Sequence, residues 1–139
     1  MANTVVIKSY VNIRDEKIAA GTITPGMLVS RTSADKVAFH AAAAGHNSKL
    51  FAIEDENQGR KTTDNYLINE LVKLWRPVPG EQVEAISSAA IAVGDYVESS
   101  GDGKLRTATV AATTLEGALV GVALTAAGGA DIRIVVEIM

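Results

Sequence analysis

Cysteine is missing altogether. That excludes disulfide bridges, zinc–thiolate sites and cysteine nucleophiles, and it suits a chain made in a reducing cytoplasm. Aromatic residues are scarce too: one Trp, three Tyr and two Phe leave little for an exposed stacking platform once a core is built. No run approaches the ~18 consecutive apolar residues of a membrane span. Basic runs of the kind that track a nucleic-acid backbone are absent, and the formal net charge is −3, so neither nucleic acid nor membrane is expected as a partner. The opening MANTVVIKSY has no basic lead followed by an apolar stretch, so no secretory leader is expected.

Apolar residues are plentiful, at 47% of 139 positions, but they are largely Ala, Val, Ile and Leu. Alanine buries little surface, so at ~25 cal/mol per Å2 many of these positions add weakly to a core. Burial between subunits is expected to supplement it.

The pattern is that of strands. In ADIRIVVEIM (130–139) Ile132, Ile134, Val136 and Ile138 alternate with Arg133, Val135 and Glu137, which predicts a half-buried strand. Further short strands are predicted at 17–23, 27–31, 37–40, 50–53, 82–86, 96–99, 104–107 and 119–124, punctuated by turn signals such as TPG, VPGE and SGDG. Residues 5–11 read as a weaker extended segment. Between 54 and 69 lies the longest polar interval; a helical turn is expected at 63–68, followed by a strand before Pro77. Together these predict an all-β fold, a small β-barrel or jelly-roll-like sandwich, with an extended N-terminal arm over 1–12 and one β domain over 13–139.

The chain also resembles itself. Gly26-Met27-Leu28-Val29 stands 68 positions before Gly94-Asp95-Tyr96-Val97, and Lys36-Val37 stands 68 positions before Lys104-Leu105. One offset across two anchors suggests two pseudo-repeated β units, 13–70 and 71–139, each a glycine turn, a strand and a hairpin.

Candidate chemistry is thin. Asp95, Glu98 and Asp102 crowd the hairpin AVGDYVESSGDGKLRTA (92–108), but their spacing is not that of a calcium loop, and Met27 and Ser30 stand in place of Asp95 and Glu98 in the first copy. They read as solvated acids around a turn. SGDG lacks the following G-K-[ST] of a phosphate cradle. His40 and His46, the two histidines, lack metal-ligand spacing and read as surface-loop residues. No G-x-S-x-G is present, and the serine and aspartate motifs of the dUTPase-type trimeric hydrolases are missing. A non-catalytic protein without cofactor or metal is expected. Trp75, beside Lys73 and Arg76, reads as core or as an interface anchor; Arg60 and Lys61 read as a solvated patch or as contacts to an acidic partner.

Four stretches taken in order carry a family likeness: IAAGTITPGMLVSRT (18–32), LFAIEDENQGRKTTDNY (50–66), PVPGEQVEAISSAAIAVGDYVESSGDGKLR (77–106) and GVALTAAGGADIRIVVEIM (121–139). The chain resembles the capsid decoration, or cement, proteins of tailed bacteriophages. That resemblance implies a compact β body on the outer capsid surface of a virion, a homotrimer or homodimer, with the major capsid protein as partner. It implies contacts from the N-terminal arm and the polar interval, so Thr4, Val5, Val6, Lys8, Tyr10, Asn57, Arg60, Lys61, Tyr66, Trp75 and Arg76 are the candidate interface residues. The alternative reading is a non-catalytic β-barrel binding module for carbohydrate or a host surface.

Overall fold

A computed structural model describes residues 4–109 and 117–139. Its elements are β1 (Val6–Lys8), β2 (Arg14–Ala19), β3 (Leu28–Arg31), β4 (Lys36–Phe39), β5 (Leu50–Ile53), a 3-10 turn at Glu56–Gln58, β6 (Leu71–Trp75), β7 (Gln82–Ile86), β8 (Tyr96–Ser99), β9 (Leu105–Thr107), β10 (Leu119–Ala123) and β11 (Arg133–Ile138). The fold is all-β, as its sequence pattern predicts. Strands β2-β4-β3-β5-β6 close into a five-stranded barrel, and β1-β7-β11-β10-β8-β9 form a six-stranded sheet.

These two bodies follow one diagram. Read as β2-β6-β5-β3-β4, the barrel has the strand order of the sheet from β7 onward. The glycine turns match: Met27 N donates to Thr24 O at 3.0 Å, and Asp95 N donates to Ala92 O at 3.2 Å. Gly26 and Gly94 both have positive φ, 97° and 90°, which glycine adopts without cost. The flanking bridges Ile23↔Tyr66 and Ile91↔Ala127 also correspond. The barrel closes through a parallel pair that includes Ala19↔Val37. Its counterpart 68 positions on is the isolated parallel bridge Ser87↔Leu105, so the second ring closes through a bridge and not through a paired strand.

Strand β6 at 71–75 pairs with β2 and β5, so the first ring extends to Trp75, past residue 70. The expected helical turn at 63–68 is instead a set of hydrogen-bonded turns carrying the Tyr66 bridge. Extended pairing with Ile23 wins over local helix preference there.

Burial follows the pleat. Ile23, Val29, Val37, Leu50, Ala52, Tyr66, Val72 and Leu74 fill the barrel. The intervening residues Leu28, Phe51, Ile53 and Trp75 join a second core with Val83, Val97, Leu105, Ile134 and Val136 of the sheet. Successive strand residues point to opposite faces, so a strand with apolar residues at every position must be covered twice. Residues 50–53 are all buried.

Backbone contacts tie the bodies further: Leu28 N donates to Gly103 O at 2.8 Å and Gly103 N to His40 O at 3.1 Å. Phe51 lies opposite Trp75 in the register of β5 and β6, at the centre of the shared core. Phe51→Ala should lower stability by roughly 3–5 kcal/mol, measured by urea unfolding. Trp75 fluorescence and far-UV circular dichroism should give one coincident transition, because the core belongs to both bodies. Two separated transitions would mean that barrel and sheet unfold independently.

Candidate interaction surfaces

The N-terminal segment is stitched down rather than loose. Strand β1 pairs with β7, and Glu84 N donates to Val5 O at 2.8 Å. Val5 is fully buried, and its N–H donates to Glu54 Oε2 at 3.1 Å. Beyond β1, Glu81 holds the chain with one buried carboxylate. It accepts from Val78 N at 2.7 Å, from Val11 N at 3.1 Å and from Tyr10 N. Burial alone would raise the Glu81 pKa, but the Ser9 hydroxyl and these backbone donors outweigh it and hold the pKa below the ordinary value. Thr4 bonds Val6 O locally, Val6 is half-buried, and Lys8 lies over the ring of Tyr10 at 5.3 Å. Lys8 and Tyr10 therefore face water, and Val5 does not. Sequence reading misses this because the pairing partners lie some seventy positions away.

The polar interval divides in the same way. Asn57 and Lys61 are exposed. Arg60 is bound at 2.6 Å by Glu70 and lies over the ring of Tyr66; the Glu70 hydrogen bond, ahead of the cost of desolvation, raises its pKa. Tyr66 is core, its hydroxyl donating to Ile53 O at 2.6 Å, and burial pushes its pKa up to about 12. Trp75 is fully buried and Arg76 is exposed. Of the candidate interface residues, then, Val5, Tyr66 and Trp75 are structural, Arg60 is occupied within the chain, and Lys8, Tyr10, Asn57, Lys61 and Arg76 remain at the surface.

The hairpin acids split as well. Asp102 accepts from Lys104 N at 3.2 Å, and Asp95 accepts from Ala92 N and the Thr107 hydroxyl, both at 3.0 Å. These are turn-stabilising roles. Glu98 departs from the expectation of a solvated acid: it is fully buried and bonded at 2.7 Å by Arg106 Nε. His40 departs too, being a buried staple and not a surface residue. Its Nδ1 lies 2.7 Å from Ser99 Oγ and its Nε2 2.7 Å from His46 O. Among the described residues no group of three His, Asp or Glu side chains is placed to hold a metal ion.

A concavity of about 560 Å3 opens beside the barrel, lined in part by Arg14, Glu16, Glu54, Asp55, Asn57 and Lys73. Glu16 and Lys73 neutralise each other there, and Glu54 is committed to Val5. The more conspicuous surface features are apolar. Leu67, Ile68 and Leu71 stand exposed beside the barrel, and Val93, Tyr96 and Leu124 stand exposed on the sheet. Val93 and Ile68 expose 64% and 62% of their surface, more than isolated core-edge residues need. The sequence names these residues without indicating that they face water, because the same spacing fits a helix or a covered strand.

No family model and no curated protein matches the chain. Among solved structures, it is similar to the crystal structure of the N base of head fiber gp8.5 of bacteriophage phi29. The TM-score is 0.65 over 93% of this chain and 95% of that one, at 13% sequence identity. At that identity the likeness is one of fold, and it spans the barrel and the sheet together.

Glu81 generates a prediction with a defined sign. Its folded pKa is depressed, so its contribution is present above the unfolded pKa and lost as pH falls through the folded one. Glu81→Gln should cost roughly 1–3 kcal/mol at neutral pH, measured by urea unfolding. The gap between wild type and variant should shrink as pH falls below about 4.3. A gap of constant size from about pH 3 to 7 would show that the carboxylate charge does not hold the segment.

Proposed function

We propose that this chain is a structural protein of a phage virion, seated on the outer surface of the head, where it binds the major capsid protein and holds neighbouring subunits together. One observation carries this reading: its fold matches a phage head fiber base over nearly the full length of both chains. The capsid-binding and clamping part of the reading follows the resemblance of the sequence to decoration proteins. The role is non-catalytic, needing contact area and no chemistry.

A clamp of this kind works by mass action. Whatever binds the closed shell and not the burst one stabilises the closed shell by its binding free energy, and a copy that spans two shell subunits gains from multivalency. The side chains available for those contacts are Lys8, Tyr10, Asn57, Lys61 and Arg76. Arg60, paired with Glu70, instead holds the polar interval in shape.

The test is co-sedimentation with assembled, DNA-filled heads, followed by heating. The protein should pellet with heads, and decorated heads should withstand higher temperature than bare ones. Lys61→Glu together with Arg76→Glu should weaken binding by about tenfold or more while leaving the fold intact. Binding without added heat tolerance would retain a head-attachment role and remove the cement role. Absence of binding at micromolar concentration would overturn both.

A further inference from the structure

The repeat shows how one unit packs on the next, and this gives the open surfaces of the molecule a meaning. At the contact, the glycine turn before β3 sits on the β7–β11 pair. A Cβ placed on Gly26 would lie 3.0 Å from Glu84 O, 3.5 Å from Ile86 Cγ1 and 2.8 Å from Arg133 Nη1. Ile86 and Arg133 are register partners. Around this turn Pro25, Leu28, Phe51 and Ile53 are buried.

Each half of that contact has a counterpart elsewhere on the chain. The counterpart of the turn is 92–95 before β8, with Val93 in place of Pro25 and Tyr96 in place of Leu28. Leu28 pairs with Phe51 and Tyr96 with Val122, and the matched backbone bonds of Ala52 and Ala123 put Leu124 in the place of Ile53. This side is largely uncovered: Val93, Tyr96 and Leu124 are exposed and Val122 is half-buried. The counterpart of the Ile86–Arg133 seat is Ile18–Leu71, register partners on β2 and β6. This seat too is uncovered, with Leu71 exposed and Leu67 and Ile68 beside it in sequence. Glu16 pairs with Lys73 and Glu70 with Arg60, while Lys36, the register partner of Ile18 on β4, stays exposed at the rim, so the seat is an apolar patch edged by one cation.

We infer that the Val93–Tyr96–Leu124 face of one copy packs on the Ile18–Leu71 face of a second copy, repeating between chains the contact that joins the two halves within one. The occupant is this chain itself because a covered example of the contact already exists, and both of its halves recur, apolar and open. Such a contact is heterologous: the two faces differ, so copies join head to tail, closing a ring if the rotation permits and extending as a filament if it does not. A face that needed a different partner would not be matched by a free copy of its own seat. The inference does not depend on the head-binding reading, and it is tested without heads.

Because the chain has no cysteine, engineered thiols report the contact directly. Val93→Cys and Leu71→Cys proteins, purified separately and mixed under mild oxidation, should give disulfide-linked dimers of one variant with the other. Each variant alone should give far less. By sedimentation velocity the wild-type protein should associate with rising concentration, and Val93→Asp or Leu71→Asp should each weaken that association by about tenfold or more. A wild-type protein that stays monomeric at high micromolar concentration would overturn the inference. So would dimers formed as readily by Val93→Cys alone, which would indicate a two-fold, isologous contact.

Discussion

Strand β5 has water on neither side, and the rest of the architecture follows from that constraint. Leu50 and Ala52 point into the barrel, while Phe51 and Ile53 point into the core shared with the sheet. A barrel of residues 14–75 standing alone would leave Leu28, Phe51, Ile53 and Trp75 in water, an apolar patch of the kind a soluble monomer rarely presents. A sheet alone would lose the cover over Val83, Val97 and Leu105. Neither half is therefore a self-sufficient body, although each has its own strand diagram. The hydrogen bonds between Leu28, His40 and Gly103 fix how the two are seated, and the His40 ring bridges Ser99 Oγ and His46 O beside that seam.

The two halves share a diagram and differ in how they finish it. The first ring closes with a parallel pair; in the second, closure falls to Ser87↔Leu105, and β1 takes up the edge of β7. This difference explains the burial of Glu81, one of three acids buried among the described residues of the second half. Glu81, Glu84 and Glu98 are all fully buried in the second half, whereas the residues 68 positions earlier, Ile13, Glu16 and Ser30, remain exposed or half-exposed. Glu81 is buried because the N-terminal segment crosses it and supplies donors. Glu98 is buried against Arg106. Glu84 sits beside Arg133, with a raised pKa set by burial and opposed by that guanidinium. A buried carboxylate is tolerable where donors or a cation compensate it. For Glu81 these come from the N-terminal segment, which the first half lacks. For Glu98 and Glu84 they come from Arg106 on β9 and Arg133 on β11, where the matching strands of the first half carry Ala38 and Leu71.

Much of this was legible in the sequence, and the limits fall along a physical line. Alternation and turn chemistry are local, so the strands at 28–31, 50–53, 82–86, 96–99 and 133–138 could be read directly, as could the glycine turns at 26 and 94. Side-chain surroundings are not local. Nothing near Val5 announces Glu54 or β7, nothing near Glu98 distinguishes it from the turn acids beside it except its place on the strand, and Tyr66 looks like a loop aromatic until Ile23 pairs with it. The same holds for the candidate surfaces. Lys61 and Arg76 are where a polar reading puts them, but Trp75 and Tyr66 are consumed by the core, since a chain with few aromatics spends its largest side chains there. Leu67, Ile68, Val93 and Tyr96 could be recognised as surface residues only once the covered half of the repeat was available for comparison.

Apolar contacts between copies would change how the exposed polar side chains hold a large partner. Lys8, Tyr10, Asn57, Lys61 and Arg76 are solvated side chains of a sort that individually contribute little, because each exposed ion pair is worth only about 0–1 kcal/mol. A single copy making such contacts would bind weakly. Copies joined through apolar faces change the arithmetic, since a second weak contact then forms at an effective concentration set by the assembly and not by the solution. The exposed Val93, Tyr96, Leu71 and Ile68 would cost solubility if they had no role, and the polar contacts would be too weak if they acted alone. Self-association through the repeat accounts for the first and removes the difficulty with the second.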